Sequence, residues 1–258
     1  MSTYLIICLL ALVGSLLTFF SGFGLGTLLV PVFAIFFPID LSIALTAIVH
    51  FLNNIFKLFL IGKNLNKKIV LQFGIPAIIS SFAGAYLLNF IADVKPITVY
   101  TISAETFYIT PLKLLVAALL LGFSLLELFP NQIKFEFNSK WIPLGGLLSG
   151  FFGGLSGHQG ALRTAFLNKA GLSKEAFIAT GVAVAVLVDV SRLTIYSGKI
   201  LDNTKSIDYN LLFCATACAF AGAFIGNKLL RKITIKTLQT IVGIMLILFS
   251  VLLALGII

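Results

Sequence analysis

Apolar runs of roughly twenty residues recur from one end of this chain to the other, the length a helix needs to cross about 30 Å of hydrocarbon. Backbone polar groups inside lipid must be satisfied within the segment or within a closed barrel. Barrel strands alternate in polarity over about ten residues, and no such alternation occurs here. An all-α polytopic membrane protein is therefore expected, with the lipid bilayer as its solvent. Composition agrees: only 10% of residues are charged and mean hydropathy is +1.11, against about 25% charged in soluble domains.

Long apolar segments are predicted at 4–20, 41–62, 69–92, 112–129, 141–156, 174–198, 208–230 and 237–257, with shorter ones at 23–37 and 158–170. The first lacks a basic leader and a small-residue cleavage signature, so it is read as a retained span. Each short segment follows a glycine-rich break, Ser21-Gly22-Phe23-Gly24-Leu25-Gly26 or Gly153-Gly154-Leu155-Ser156-Gly157. The helices are thus expected to be glycine-broken, with eight to ten transmembrane segments depending on whether the short ones cross.

The breaks belong to a longer internal echo. Ser21-Gly22 matches Ser156-Gly157, Gly62-Lys63 matches Gly198-Lys199, and Phe82-Ala83-Gly84-Ala85 matches Phe220-Ala221-Gly222-Ala223, with Asn89 and Asn227 following. Two membrane repeats follow from this, 1–130 and 131–258, together forming one transmembrane domain. If every segment crosses, one face collects Lys63, Lys67, Lys68, Lys134, Lys140, Lys169, Lys174, Lys228, Arg231, Lys232 and Lys236, and the other only Lys95, Lys113, Lys199 and Lys205. Basic loops mark the cytoplasmic side, so both termini are expected outside. Five crossings per half would invert the second half relative to the first, a common transporter plan. Re-entrant short segments would instead make the halves parallel.

The net charge of +9 raises the question of nucleic acid, but its loop placement is that of a membrane topology signal, and no nucleic-acid partner is expected. Cys8, Cys214 and Cys218 lie within apolar segments and imply neither a disulfide framework nor a metal site; no cofactor is expected.

Polar side chains inside spans are costly, so each is a candidate for function. His50, Asn53, Asn54 and Lys57 follow i, i+3, i+4, i+7 spacing along one helix face, and the second half supplies Asp189, Arg192 and the cluster His158, Gln159, Arg163. The repeat offset sets Asn53 opposite Asp189. Each has a structural counterpart reading: Asp189 with Arg192 as an internal ion pair, the histidines as satisfied donors, Lys57 as a side chain snorkelling to the nearby helix end. Glu127 is read as interfacial. At the breaks, Ser21, Gly22, Gly24, Gly26, Ser156 and Gly157 precede helix starts whose free N–H groups favour anions, although glycine clusters also serve close helix packing. Lys57, Arg163 and Arg192 outweigh Asp189, so the interior favours a small anionic substrate, and guanidinium geometry suits a carboxylate or sulfonate-like group.

The stretch Phe20-Ser21-Gly22-Phe23-Gly24-Leu25-Gly26 leading to Pro31, and its echo Leu148-Ser149-Gly150-Phe151-Phe152-Gly153-Gly154-Leu155-Ser156-Gly157, resemble the TauE/SafE family of sulfite exporters. The resemblance implies a multi-pass transporter that exports, or less often takes up, sulfite, sulfonates or related organic anions across a bacterial inner membrane. The chain departs from the commoner glycine-rich pattern at His158-Gln159-Gly160 and Arg163, which leaves sulfite, carboxylate and sulfonate all open. Carrier and channel are both open too, as are protons as coupling ion and the oligomeric state. An intramembrane enzyme acting on a lipid-like substrate is the alternative from another class, but the chain carries no paired-aspartate, His-Glu-x-x-His or nucleophile-elbow motif.

Overall fold

The computed structural model of the chain describes residues 2–21, 24–128, 139–168, 170–204, 207–229 and 235–258. Ten α-helices account for nearly all of it: α1 (Ser2–Ser21), α2 (Leu25–Ala34), α3 (Ile39–Ile61), α4 (Lys67–Ala92), α5 (Pro111–Leu128), α6 (Ile142–Ser156), α7 (Gly160–Leu167), α8 (Lys174–Asp202), α9 (Tyr209–Leu229) and α10 (Ile235–Ala254). Every expected segment is a helix, including the two short ones. Four of them, α3 (with its 3₁₀ extension to Asn64), α4, α8 and α9, are long and apolar enough to cross a membrane by length and composition.

The helices are apolar outward as well as inward, as lipid requires. On α4, Leu71, Ile75, Ile79, Phe82, Tyr86 and Phe90 form an exposed stripe, while Phe73, Ala77, Ser81, Gly84 and Leu88 are buried on the other face. That buried face meets α6 at van der Waals limits. A Cβ on Gly146, Gly150 or Gly154 would fall 2.2, 2.2 or 2.1 Å from the carbonyl oxygen of Phe73, Ala77 or Ser81, and one on Gly84 would fall 2.0 Å from that of Phe151. The numbering rises together on both helices, so α4 and α6 run parallel. Helices α1 and α9 do the same: Gly222 lies against Leu12 and Leu16, Gly226 against Leu16 and Phe19. Lipid offers no hydrophobic drive between helices, so close backbone approach at small residues supplies the packing.

The α3–α8 and α5–α10 pairs are antiparallel. Asp40 on α3 meets Lys199 on α8 at 3.1 Å, His50 meets Asp189, and Asn66 just beyond α3 meets Thr180; Lys113 on α5 meets the Gly256 carbonyl beyond α10, and Leu128 meets Gly243. These directions put Lys63, Lys67, Lys68, Lys140, Lys174 and Lys228 at one end of the bundle, hereafter the lysine end, and Asp40, Asp93, Lys199 and Asp208 at the other, the aspartate end. Lys134, Lys169, Lys205, Arg231 and Lys232 lie outside the described residues.

One element was not anticipated. Between α4 and α5, at the aspartate end, β1 (Thr98–Ile102) and β2 (Glu105–Ile109) pair antiparallel with Thr98 opposite Ile109. Their two-residue turn has positive φ at both Ser103 (49°) and Ala104 (73°), the backbone twist that suits hairpins. Tyr100 donates to the Leu255 carbonyl and fastens the hairpin over the end of α10.

Candidate functional site

Two helical hairpins enter the bundle from opposite ends. The α1–α2 hairpin starts and finishes at the aspartate end, where Tyr4 bonds Asp208 and α2 leads into Asp40; the α6–α7 hairpin starts and finishes at the lysine end. Their tips meet: a Cβ on Gly26 would lie 3.4 Å from the Gly157 carbonyl oxygen, and one on Gly157 would lie 3.9 Å from Val30. Gly157 holds φ +81°, a conformation glycine adopts without steric cost. Neither tip helix is capped by a side chain, so the first N–H groups of α2 and α7 face inward without that partner. Pro31 lies within a regular, wholly buried α2.

Beside the tips, α3 and α8 cross at Asp189. Its carboxylate is wholly buried and gathers donors from three elements: Nδ1 of His50 at 2.7 Å, Nε of Arg192 at 2.9 Å, the Asn54 amide at 3.3 Å and the Gln159 amide at 3.5 Å. A carboxylate only accepts, so the short His50 contact assigns the ring proton to Nδ1; Nε2 then accepts from Asn54 at 3.3 Å. On its tip side His50 abuts Gly24, where a Cβ would sit 2.9 Å from Nε2. The internal ion pair expected of Asp189 and Arg192 is present, with His50 drawn in from α3. Asn53 is turned elsewhere: its carbonyl accepts from Ser15 on α1 at 3.2 Å, and Asn54, one residue on, faces Asp189.

Toward the lysine end the hairpins leave a small, partly open cavity. Lys57 and Arg163 are the charged residues of its wall, joined by Thr18, Thr164, Asn54 and Gly24, with Phe19, Phe177, Ile178 and Val182 as the apolar side. Both cations are buried, at 3% and 5% exposure. The Lys57 ammonium stands 5.5 Å over the Phe19 ring, and Arg163 donates to the Gln159 side chain at 3.3 Å. Two like charges in one low-dielectric cavity, with no acid among the described residues of its lining, repel each other.

The sequence-derived candidates therefore divide. Gly24, Asn54 and Arg163 line the cavity; His50, Gln159, Asp189 and Arg192 form the adjoining network; Gly26 and Gly157 form the tip contact. Ser156 donates to the Phe152 carbonyl and holds Nδ1 of His158 at 3.1 Å, while the His158 ring stacks on Phe123 of α5 at 6.0 Å. His158 is not among the residues lining the cavity that holds Arg163, so the two are not neighbours there. Ser21 closes α1, and Gly22 lies outside the described residues. Lys57 is the residue that snorkelling hid: rather than reaching the helix end it points into the cavity, as its i+7 spacing from His50 had signalled.

Compared with known proteins, residues 6–253 match a family model described as Sulfite exporter TauE/SafE. No curated protein and no solved structure matches the chain.

Proposed function

Since the chain belongs to the sulfite exporter TauE/SafE family, a family of membrane transporters for sulfite or related anions, we propose that it is a secondary transporter that exports a small oxyanion, held between Lys57 and Arg163. The observation that carries this reading is the pairing of two buried cations, two threonines and an amide around one cavity, with no acid among the described residues of its lining. The reading extends to architecture: 1–130 and 131–258 are inverted repeats, and one rocks against the other to alternate access. Exchange of the halves turns the α1–α9 contact into α6–α4, with Gly222 and Gly84 in the same role against the first helix of the opposite half, which supports that symmetry. The lysine end is assigned to the cytoplasm of a bacterial inner membrane by loop charge. Protons are the assigned coupling ion, through the His50–Asp189 pair that joins the halves; histidine is the side chain that titrates near neutral pH.

Sulfite counterflow in proteoliposomes tests the assignment. Replacing Lys57 or Arg163 with Gln removes a charge-assisted contact, so transport should fall by about 10- to 100-fold while the protein stays monodisperse. Full transport by both variants would remove the cavity from the pathway. An imposed pH gradient should drive net sulfite movement in the wild type and fail to do so in His50→Gln.

A further inference from the structure

The two longest-echoed helices carry the same two charges in the same two places. Asp40 is the second residue of α3 and Glu175 the second residue of α8. Lys63 follows Gly62 in the 3₁₀ extension of α3, and Lys199 follows Gly198 near the end of α8. Because α3 and α8 are antiparallel, the start of one helix lies beside the end of the other, and each end of the bundle receives one acid and one lysine.

At the aspartate end the charges meet. The Lys199 ammonium stands 3.1 Å from Asp40 and 3.5 Å from Asp93, the residue that closes α4, so it ties α8 to both α3 and α4. At the lysine end the counterparts do not: Lys63 and Glu175 are both exposed and form no ion pair with each other. The register of the helices nevertheless aims them at one another. Asp40 meets Lys199 and His50 meets Asp189, so a step from 40 to 50 on α3 matches one from 199 to 189 on α8. Continued to the end of α3, that register sets Lys63 opposite Ala176, next to Glu175. The Asn66 N–H donates to the Thr180 hydroxyl at 2.9 Å, which holds the chain beyond α3 against this part of α8.

We propose that Asp40–Lys199 and Lys63–Glu175 are two gates that form in alternation, the first closed in this structure and the second closed when the bundle opens toward the aspartate end. The inference rests on the reading of the halves as inverted repeats that rock. A tilt of α8 against α3 about their contact at Asp189 opens one end as it closes the other. Lys199 and Glu175 lie roughly 15 and 21 Å along α8 on either side of that contact, far enough for a small tilt to make or break a pair. Ion pairs near the surface are individually weak, which suits a gate: exchanging one for its like leaves both states populated.

The test uses the full chain in proteoliposomes, with Cys8, Cys214 and Cys218 replaced by Ala. In the variant carrying Lys63→Cys and Glu175→Cys, disulfide formation by copper phenanthroline is scored by mass spectrometry. Its yield is expected to rise by up to about fivefold when Lys199→Gln removes the opposite gate. A yield that Lys199→Gln leaves unchanged, or no cross-link in either background, overturns the alternation. Sulfite counterflow gives the second readout. Lys63→Glu and Glu175→Lys each set like charges face to face at the closing end and should slow transport by about two- to fivefold; the variant carrying both should regain most of the wild-type rate. Both positions are exposed, so packing is preserved, and the pair is not formed in this structure, so a static role predicts no such recovery. Single variants at the wild-type rate, or a double variant no faster than the singles, also overturn the gates. A wild type that moves no sulfite would instead overturn the transporter reading, while the cross-link, which needs no substrate, still decides the gates.

Discussion

At Asp189 a single carboxylate serves His50, Arg192, Asn54 and Gln159, and its worth lies in what its loss would leave behind. Replacing it with Asn keeps the shape and strands a buried guanidinium. Breaking a buried pair from one side costs about 3–5 kcal/mol, so Asp189→Asn should unfold markedly earlier than wild type in a detergent thermal melt. Removing both charges, with Asp189→Asn and Arg192→Gln together, should recover a large part of that loss, because no uncompensated charge remains. Equal destabilisation by the single and double variants would mean that the network holds the helices by packing alone. Lys57 sets the complementary case: a buried cation with no acid among the described residues of its cavity.

Among the elements, glycines decide which helices touch. Gly150 and Gly154 on α6 stand against α4 carbonyls, where a Cβ would fall 2.2 and 2.1 Å from an oxygen. A side chain there forces the helices apart along their whole contact. Gly122 on α5 has nothing within 4 Å of its Cβ position. Gly154→Ala should therefore lower the melting temperature and the yield of monodisperse protein, whereas Gly122→Ala should be neutral or stabilise by up to about 1 kcal/mol through helix propensity. A matched response at the two sites would show that these glycines act through the intrinsic helix preference and not through close approach. The two short helices follow the same logic. At the second, Gly157 takes φ +81° where the chain turns beside the α2 backbone, and neither short helix has a side-chain cap.

For the whole molecule, the directions of the packed pairs determine what a labelling experiment should see. In a background with Cys8, Cys214 and Cys218 replaced by Ala, a cysteine in place of Ala104, at the hairpin turn, is expected to react with an impermeant maleimide in intact cells. One in place of Lys63, at the opposite end, should react only after permeabilisation. Labelling of both from the same side would rule out a crossing by α4, which separates them. Reversal of the two would keep the fold and turn the proposed orientation around.

Much of this was legible in the sequence, because a bilayer translates length and polarity directly into helices: the ten apolar segments and the polar stripes on α3 and α8 follow from one residue's relation to its near neighbours, whereas Gly153 and Gly154, expected in a break, lie inside α6, which runs on to Ser156. Helical periodicity put His50 and Asn54 on a common face, and the odd acid among the cations marked Asp189 as a partner. Distance across the bundle is not encoded that way. The repeat offset pointed to Asn53 where Asn54 faces the carboxylate, because helix rotation is set by packing against α1, where Ser15 takes Asn53. Proximity along the chain joined His158 to Arg163, which tertiary structure separated, since the tip turns one ring onto Phe123 while the guanidinium follows α7 into the cavity. The hairpin at 98–109 escaped notice because its turn uses Ser103 and Ala104 in place of the Asn and Gly that advertise such geometry. Lys57 was hidden by its place near a helix end, where only the surrounding Phe19 and Arg163 decide whether a lysine reaches water or turns inward.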